Sequence, residues 1–283
     1  MLNKAESFMG CESSYEDANV VLFGAPFDST TSFRPGARFA PKAIRADFFG
    51  IETYSPYQNA DLADMRIFDS GDLELPFGNA EKALGLIEDH TGKIFDDGKI
   101  PLMLGGEHLV TLGAVRAAVK KYPDLHIIHM DAHTDLRDEY LGEELSHATV
   151  MRRIWNLIGD GRLFQFGIRS GERQEFEFAE SHTVLHKYLL EAVGTTQGQW
   201  AGKPLYLSID LDVLDPSVFP GTGTPEPGGV GFAELHCAIL SLKKLNIVGC
   251  DVVELSPSYD QSGASTAVAC KILRELILTL GGL

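Results

Sequence analysis

The stretch HIIHMDAHTD, residues 126–135, ends an apolar run in three groups able to bind a metal: Asp131, His133 and Asp135. In extended chain, residues i, i+2 and i+4 project to the same side, so the three converge on one point. Ionisable groups crowded on one face must be hydrated, paired or bound to a cation. Two further stretches carry the same chemistry. GGEH (105–108) offers His108, and SIDLD (208–212) offers Asp210 and Asp212, again at alternate positions. Four carboxylates and two imidazoles are too many for one ion. Two divalent cations would use them, one histidine each, with Asp131 and Asp210 bridging. Oxygen-rich ligation with few imidazoles suits Mn2+ better than Zn2+; the histidines weigh against Mg2+ and Ca2+ and leave Fe2+ or Co2+ open. A cation pair that shares carboxylates holds a bridging water and lowers its pKa toward neutrality, which is a hydrolase's nucleophile. Asp135 is placed to accept its proton and pass it on. No GxSxG elbow and no Cys/His pair competes for that role.

The elements that must position these groups are strands followed by loops. Apolar runs predict strands at Val20–Phe23, Arg66–Phe68, Pro101–Leu104, Ile127–Met130, Leu163–Phe166, Thr183–Leu185, Leu205–Ile209 and Ile247–Val253. Helical patterns lie between them at Ala80–Phe95, Val110–Lys121, Thr149–Ile158, Phe232–Leu245 and Ala264 to about Leu280. Continuous Val/Ile/Leu runs alternating with helices predict a parallel sheet buried on both faces. With no linker, repeat or low-complexity segment, residues 1–283 read as one α/β domain. The strand tails read GAPFD, DSGD, GGEH, DAHTD, GIRS, DLDVLDP and ELSP. Open α/β sheets bind ligands beyond the carboxyl ends of their strands, and core packing alone would not gather charge and glycine there.

A net charge of -16 and an isoelectric point near 4.9 argue against nucleic acid or anionic membrane as partner and favour a small cation. Cys11, Cys237, Cys250 and Cys270 are scattered without CxxC spacing, which predicts buried thiols in a reducing compartment. MLNKAESFMG lacks the apolar core of a signal peptide and no run reaches the length of a membrane span, so a cytoplasmic, soluble protein is expected.

GGEH, DAHTD and SIDLDVLDP, in this order, resemble the signature motifs of the ureohydrolase (arginase/agmatinase) family. The resemblance extends to SFRPGARFAPKAIR (32–45), ETYSP (52–56), GIRSG (167–171), GTGTPEPGG (221–229) and VVELSP (252–257), and is closest to bacterial agmatinases. It implies a three-layer α/β/α fold with an eight-stranded, mostly parallel sheet, two Mn2+ per subunit, and a homo-oligomer, trimer or hexamer. It implies hydrolysis of a guanidino group to urea and an amine; for agmatine the amine is putrescine, a step of polyamine biosynthesis. Carried over by residue, one manganese would take His108, Asp131, Asp135 and Asp210, and the other Asp131, His133, Asp210 and Asp212. His147 in LSHAT would carry a proton to the departing amine, although Ala148 stands where the family more often has glycine. Glu254 would pair with the guanidinium, beside Thr224. Guanidinium is resonance-stabilised and a poor electrophile, so a carboxylate that holds it and a donor for the leaving amine are chemically required.

The loop 136–144 holds four acids, Asp138, Glu139, Glu143 and Glu144, and no Asn or Ser, which suits a substrate ending in an ammonium group. Arg137, Arg152 and Arg169 are the groups that would instead hold a carboxylate, as guanidinobutyrate or formiminoglutamate would need; arginine and aminopropylagmatine are further alternatives. A binuclear phosphoesterase would want a GNH motif, and a deacetylase one zinc with paired histidines; neither is present. A metal-binding subunit without activity is the non-enzymatic rival, and retention of all six ligands with His147 and Glu254 argues against it. His90, His126, His129, His182, His186 and His236 lack paired ligands and read as core or surface residues. Asp28, Asp72 and Arg34 receive no role.

Overall fold

Alternating apolar runs and helical patterns become, in the computed structural model, which describes residues 7–281, ten strands and eight helices. In chain order these are β1 (Val20–Gly24), α1 (Ala40–Asp47), β2 (Tyr54–Ser55), β3 (Ala60–Asp61), β4 (Ile67–Asp72), α2 (Ala80–Asp96), β5 (Ile100–Leu104), α3 (Val110–Lys121), β6 (His126–Met130), α4 (Val150–Ile158), β7 (Leu163–Ile168), α5 (Arg173–His182), β8 (Val184–Lys187), α6 (Glu191–Thr196), β9 (Leu205–Asp210), α7 (Phe232–Ser241), β10 (Ile247–Val253) and α8 (Ala264–Leu280). Eight strands form one sheet in the order β4-β1-β5-β10-β9-β6-β7-β8. Every neighbouring pair in it is parallel. β2 and β3 make a separate antiparallel ribbon.

The two-residue period of a strand sorts side chains between two cores. Val20 and Leu22 of β1 join one cluster, with Ile44 of α1, Val193 of α6, Leu235 of α7 and Ile277 of α8. Val21 and Phe23 join the other, with Ile87 of α2, Val115 of α3, Ile154 of α4 and Ala179 of α5. A sheet covered on both faces gives the expected three layers. Each fully buried Leu or Ile contributes roughly 1.5–3 kcal/mol of transfer free energy, so both layers are held chiefly by apolar contact. Polar ties are local. Arg45 on α1 donates to Asp69 (2.7 Å) and to Asp72 at the end of β4. Ser55 of the ETYSP segment donates to buried Glu275 on α8 at 2.8 Å.

Four helices depart from the sequence expectations, α6 being a six-residue helix with no counterpart there. α7 ends at Ser241 rather than Leu245, because the chain turns through Lys244 at φ 77. α1, absent from the expectations, is short and carries Pro41 in its first turn. α5 has no counterpart there either; its EFEFA run alternates at period two, and the carboxylate of Glu175 accepts the Glu172 N–H at 2.7 Å where the helix starts. No helix among the described residues is long and apolar enough to cross a membrane. The reading of MLNKAESFMG falls largely outside the described residues. All four cysteines are free; Cys250 and Cys270 are buried as expected, whereas Cys237 is exposed and Cys11 only partly covered.

Candidate active site

Five adjacent strands, β1, β5, β10, β9 and β6, deliver their carboxyl-terminal tails to one edge of the sheet. The GGEH turn after β5 is wedged between two of them. A Cβ on Gly106 would lie 1.9 Å from the Phe27 carbonyl oxygen in the tail of β1, so only glycine fits. The Glu107 N–H donates to that same oxygen (2.8 Å), and the Glu254 N–H after β10 donates to the Gly106 carbonyl (2.9 Å). The His108 N–H then donates to Glu254 Oε1 at 2.7 Å.

His108 Nδ1 faces Asp131 Oδ2 (3.1 Å), Asp135 Oδ2 (3.1 Å) and Asp210 Oδ2 (3.2 Å). Its tautomer follows from what stands behind it. Ser208 gives its hydroxyl proton to Asp251 Oδ1 (2.7 Å), so its oxygen accepts from His108 Nε2 (3.0 Å). That leaves Nδ1, buried without a hydrogen-bond partner among the described residues, as the nitrogen that faces the acids. Aimed among three carboxylates, it attracts positive charge: a proton in the free protein, or a cation that takes the proton's place. The second group holds His133 Nδ1 at 3.1 Å from Asp212 Oδ2 and 3.5 Å from Asp131 Oδ1. Asp131 thus turns one oxygen to each group, as a bridging ligand would. Asp210 differs: its Oδ1 accepts the Asp212 N–H at 2.8 Å, closing a turn over Leu211–Val213. Asp212 therefore reaches the site through that turn, not through strand alternation. Asp135 likewise swings inward at φ 52, outside regular extended backbone.

The sequence set His129 aside as a core residue. It is fully buried, and its Nε2 lies 2.7 Å from Asp131 Oδ2. Gln165 Nε2 donates both to the Thr134 carbonyl (2.8 Å) and to His129 Nδ1 (3.1 Å), which makes Nδ1 an acceptor and Nε2–H the donor to Asp131. His129 belongs to the metal-capable group His108, His129, Asp131 and Asp135, but this tautomer makes it a support for the shared carboxylate. The signal available in the sequence was its position two residues before Asp131, on the same strand face.

Like charges dominate the energetics. Burial, then Asp131, pushes the Asp135 carboxyl up to about 7. Burial, then Asp212 and Asp131, raises Asp210. Burial acts to lower His108 and His133, yet the surrounding carboxylates raise both well above the usual imidazole value. Burial acts to raise Asp131 too, but His129, His108 and His133 hold it well below the carboxylate range. Two unit charges 4 Å apart interact by about 4 kcal/mol at an effective dielectric of 20. Divalent cations among these groups would offset that repulsion.

The other expected residues meet here as well. His147, Thr224 and Glu254 line, with His108, His133, Asp135 and Asp210, a cavity of about 300 Å3. Thr224 Oγ1 donates to Asp212 Oδ2 at 3.2 Å. Glu254 sits at φ 65, and burial, Glu107 and Asp212 raise its pKa. His147 Nε2 lies 3.0 Å from Ser32 Oγ, a partner that sequence reasoning missed. Burial, then His133 and His108, pulls His147 down to about 4, so the ring is neutral at pH 7.

The outer part of the cavity corrects one expectation. None of the four acids of loop 136–144 is among the described residues lining it; Arg137 and Tyr140 are, together with Glu172 and Glu175. Asp138 instead faces Arg153 at 2.6 Å. Glu175 already accepts from Thr134 Oγ1, Leu136 N and Glu172 N. Glu172 keeps more free capacity: its carboxylate, more than half exposed, meets Arg137 at 3.0 Å. Of the three arginines considered for a carboxylate, Arg169 is spent on the carbonyls of Asp212, Val213 and Glu226. Arg152 stacks 3.8 Å over Phe178, which leaves Arg137. The residues without a role in the sequence reading acquire structural ones. Asp28 accepts the Gly36 N–H (2.8 Å) and pairs with Arg38, Asp72 holds Arg45, and Arg34 lies 3.9 Å over the Tyr259 ring.

Known proteins match the chain over nearly its whole length. The Arginase family model matches residues 18–279. The agmatinase of Bacillus anthracis is 47% identical over 275 residues, covering 96% of this chain and 95% of its own. A solved structure from Clostridium difficile superposes with a TM-score of 0.93 at 54% identity, over 95% of this chain and 99% of that one. The agmatine ureohydrolase of Thermoplasma volcanium superposes with a TM-score of 0.87 at 36% identity, over 97% and 94% of the two chains. The chain belongs to the arginase family and is a ureohydrolase, a metal-dependent hydrolase of guanidino compounds.

Proposed function

We propose that this single-domain chain is a cytoplasmic agmatinase that holds two Mn2+ and converts agmatine and water to urea and putrescine. The observation that carries the reading is the convergence of two carboxylate–imidazole groups on Asp131, with Glu254 in the same cavity. His108, Asp131, Asp135 and Asp210 would hold one ion, and Asp131, His133, Asp210 and Asp212 the other. When bound, the pair supplies Lewis acidity and a hydroxide near neutral pH.

The chain's own residues do the rest. Glu254, whose charge is opposed by Glu107 and Asp212, gains a counter-charge when it holds the guanidinium, and that orients the central carbon. Asp135, at the end of its ligand group, takes the proton released as water adds to that carbon. His147 is neutral at rest, so it must first receive a proton before giving one to the alkyl nitrogen as the C–N bond to it breaks. At the cavity mouth Glu172 is the carboxylate with capacity for the distal ammonium. Arg137 is already engaged by Glu172 and Glu175, which disfavours guanidinobutyrate and arginine. Four bacterial relatives named agmatinases share 45–47% identity with the chain, in line with this choice of substrate. The same reading makes the protein a homo-oligomer, trimer or hexamer, and Phe33, Phe49 and Phe77 are large exposed apolar residues that suit subunit contacts.

The test is urea release by purified, Mn2+-loaded protein offered agmatine, arginine or guanidinobutyrate, with formamide measured for formiminoglutamate. Agmatine is expected to be preferred. Turnover of none of them would sink the reading, and preference for arginine would overturn the substrate.

A further inference from the structure

The glutamate of GGEH belongs to neither metal-capable group and does not line the cavity. It is nonetheless fully buried, and both of its oxygens are taken by one short segment in the tail of β1. Thr30 donates its N–H (3.0 Å to Oε2) and its hydroxyl (2.6 Å to Oε1), and Thr31 donates its hydroxyl at 2.8 Å. Burial pushes the Glu107 carboxyl up to about 7, and the bonds from Thr30 and Thr31 act to hold the charge; three donors on one buried carboxylate make a strong anchor.

What the segment does with that anchorage is visible at its other side. The Thr30 hydroxyl has one proton, and Glu107 takes it, so the oxygen is left to accept. It accepts the backbone N–H of His147 at 3.0 Å. Two residues on, Ser32 Oγ reaches His147 Nε2 at 3.0 Å. The imidazole is thus gripped at its backbone and at its ring by residues 30 and 32. Tyr140 adds an edge contact, with ring centroids 6.1 Å apart.

We propose that Glu107 and Thr30 are positioning residues for His147, and that the segment 30–32, clamped by Glu107, is the splint that keeps the His147 ring facing the cleft. The inference rests on the reading of His147 as the proton carrier. It explains why the turn that supplies a metal ligand also carries a buried acid: one loop fixes His108 and, through Thr30, the group that serves the leaving amine. Proton transfer is sensitive to small misplacements of the transferring group, so a loosened His147 slows the proton step more than it weakens binding.

The test uses the Mn2+-loaded enzyme and the variants Thr30→Val, Thr30→Ser, Glu107→Gln, His147→Ala and the double variant Thr30→Val/His147→Ala. Thr30→Val keeps the shape and removes the hydroxyl. It is expected to lower kcat about tenfold or more, the scale of one buried donor left unpaired, with KM for agmatine and bound metal unchanged. Thr30→Ser restores most of the loss, and Glu107→Gln follows Thr30→Val. In the His147→Ala background Thr30→Val costs nothing further, because residues acting as one unit are not additive. Amide hydrogen exchange at His147 rises in Thr30→Val and Glu107→Gln, a readout independent of turnover. An equal loss in both backgrounds, departure of metal from Thr30→Val, or unchanged exchange at His147 would overturn the splint. Full turnover by His147→Ala would instead sink the role given to His147 itself.

Discussion

Replacing Glu254 by glutamine removes one charge and almost no volume. The wild-type carboxylate is buried at φ 65, accepts the His108 N–H on Oε1 at 2.7 Å, and has its pKa raised by burial, Glu107 and Asp212. Glutamine keeps an oxygen for His108, so the GGEH turn and the metal ligands stay in place. It loses the ion pair with the guanidinium. A charge-assisted hydrogen bond is worth about 1.5–3 kcal/mol, and a close ion pair about 4 kcal/mol at an effective dielectric of 20. Taken as overlapping measures of one contact, they predict a fall of two to three orders of magnitude in kcat/KM for agmatine. Removing a charge repelled by two neighbours should also raise the melting temperature, a gain in stability obtained by losing function. Urea release, elemental analysis of bound manganese and calorimetry read the three effects separately. Undiminished kcat/KM refutes the guanidinium role. Loss of manganese refutes the separation of Glu254 from the metal ligands, and a lowered melting temperature refutes the repulsion.

Metal-stripped protein should lose stability as pH rises from 5 to 8. Asp135 (to about 7), Asp210, His108 and His133 all bind protons more tightly folded than unfolded. Their contribution is full below the ordinary values of 3.8 and 6.5 and is lost as pH climbs through the raised ones. Asp131 shifts the opposite way, but its window lies below its ordinary value of 3.8; His147 and His129, both held down by burial, oppose the fall only below their ordinary value of 6.5, so the loss is read above it. Thermal melts in chelator check this, and a curve that is flat or rising over that range contradicts it; added Mn2+ should stabilise more at pH 8 than at pH 6. Asp131→Ala should empty both metal groups, because each uses one of its oxygens; a variant that retains two ions by elemental analysis refutes the bridging role. Gly106→Ala would drive a Cβ to 1.9 Å from the Phe27 carbonyl. It should cost about 3 kcal/mol or more by denaturant melt, with loss of metal, and a near-neutral change would refute the wedge.

Much of the site was legible because its ligands sit at strand ends, where a two-residue period and a run of charge betray a cluster. The six inner strands of the sheet were legible for a similar reason: buried parallel strands are continuous apolar runs. What escaped depends on contacts between distant segments. Thr30, Ser32 and Glu107 are ordinary polar residues until the β1 and β5 tails are brought together. His129 looked like core because nothing in a linear sequence shows Gln165 setting its tautomer. The acids of the cavity mouth were sought in the loop after Asp135, whereas Glu172 reaches the cavity from the start of α5, a helix the apolar pattern does not show. Strand alternation was the wrong route to Asp212, which a turn brings to His133.

The central claim is a hydrolase that needs two cations in the groups sharing Asp131. Metal-depleted protein titrated with Mn2+, while urea release from agmatine is followed, tests it most directly. Turnover should rise to a plateau at two ions per chain, with one putrescine formed for each urea. A plateau at one ion, or no urea with both groups filled, would contradict it.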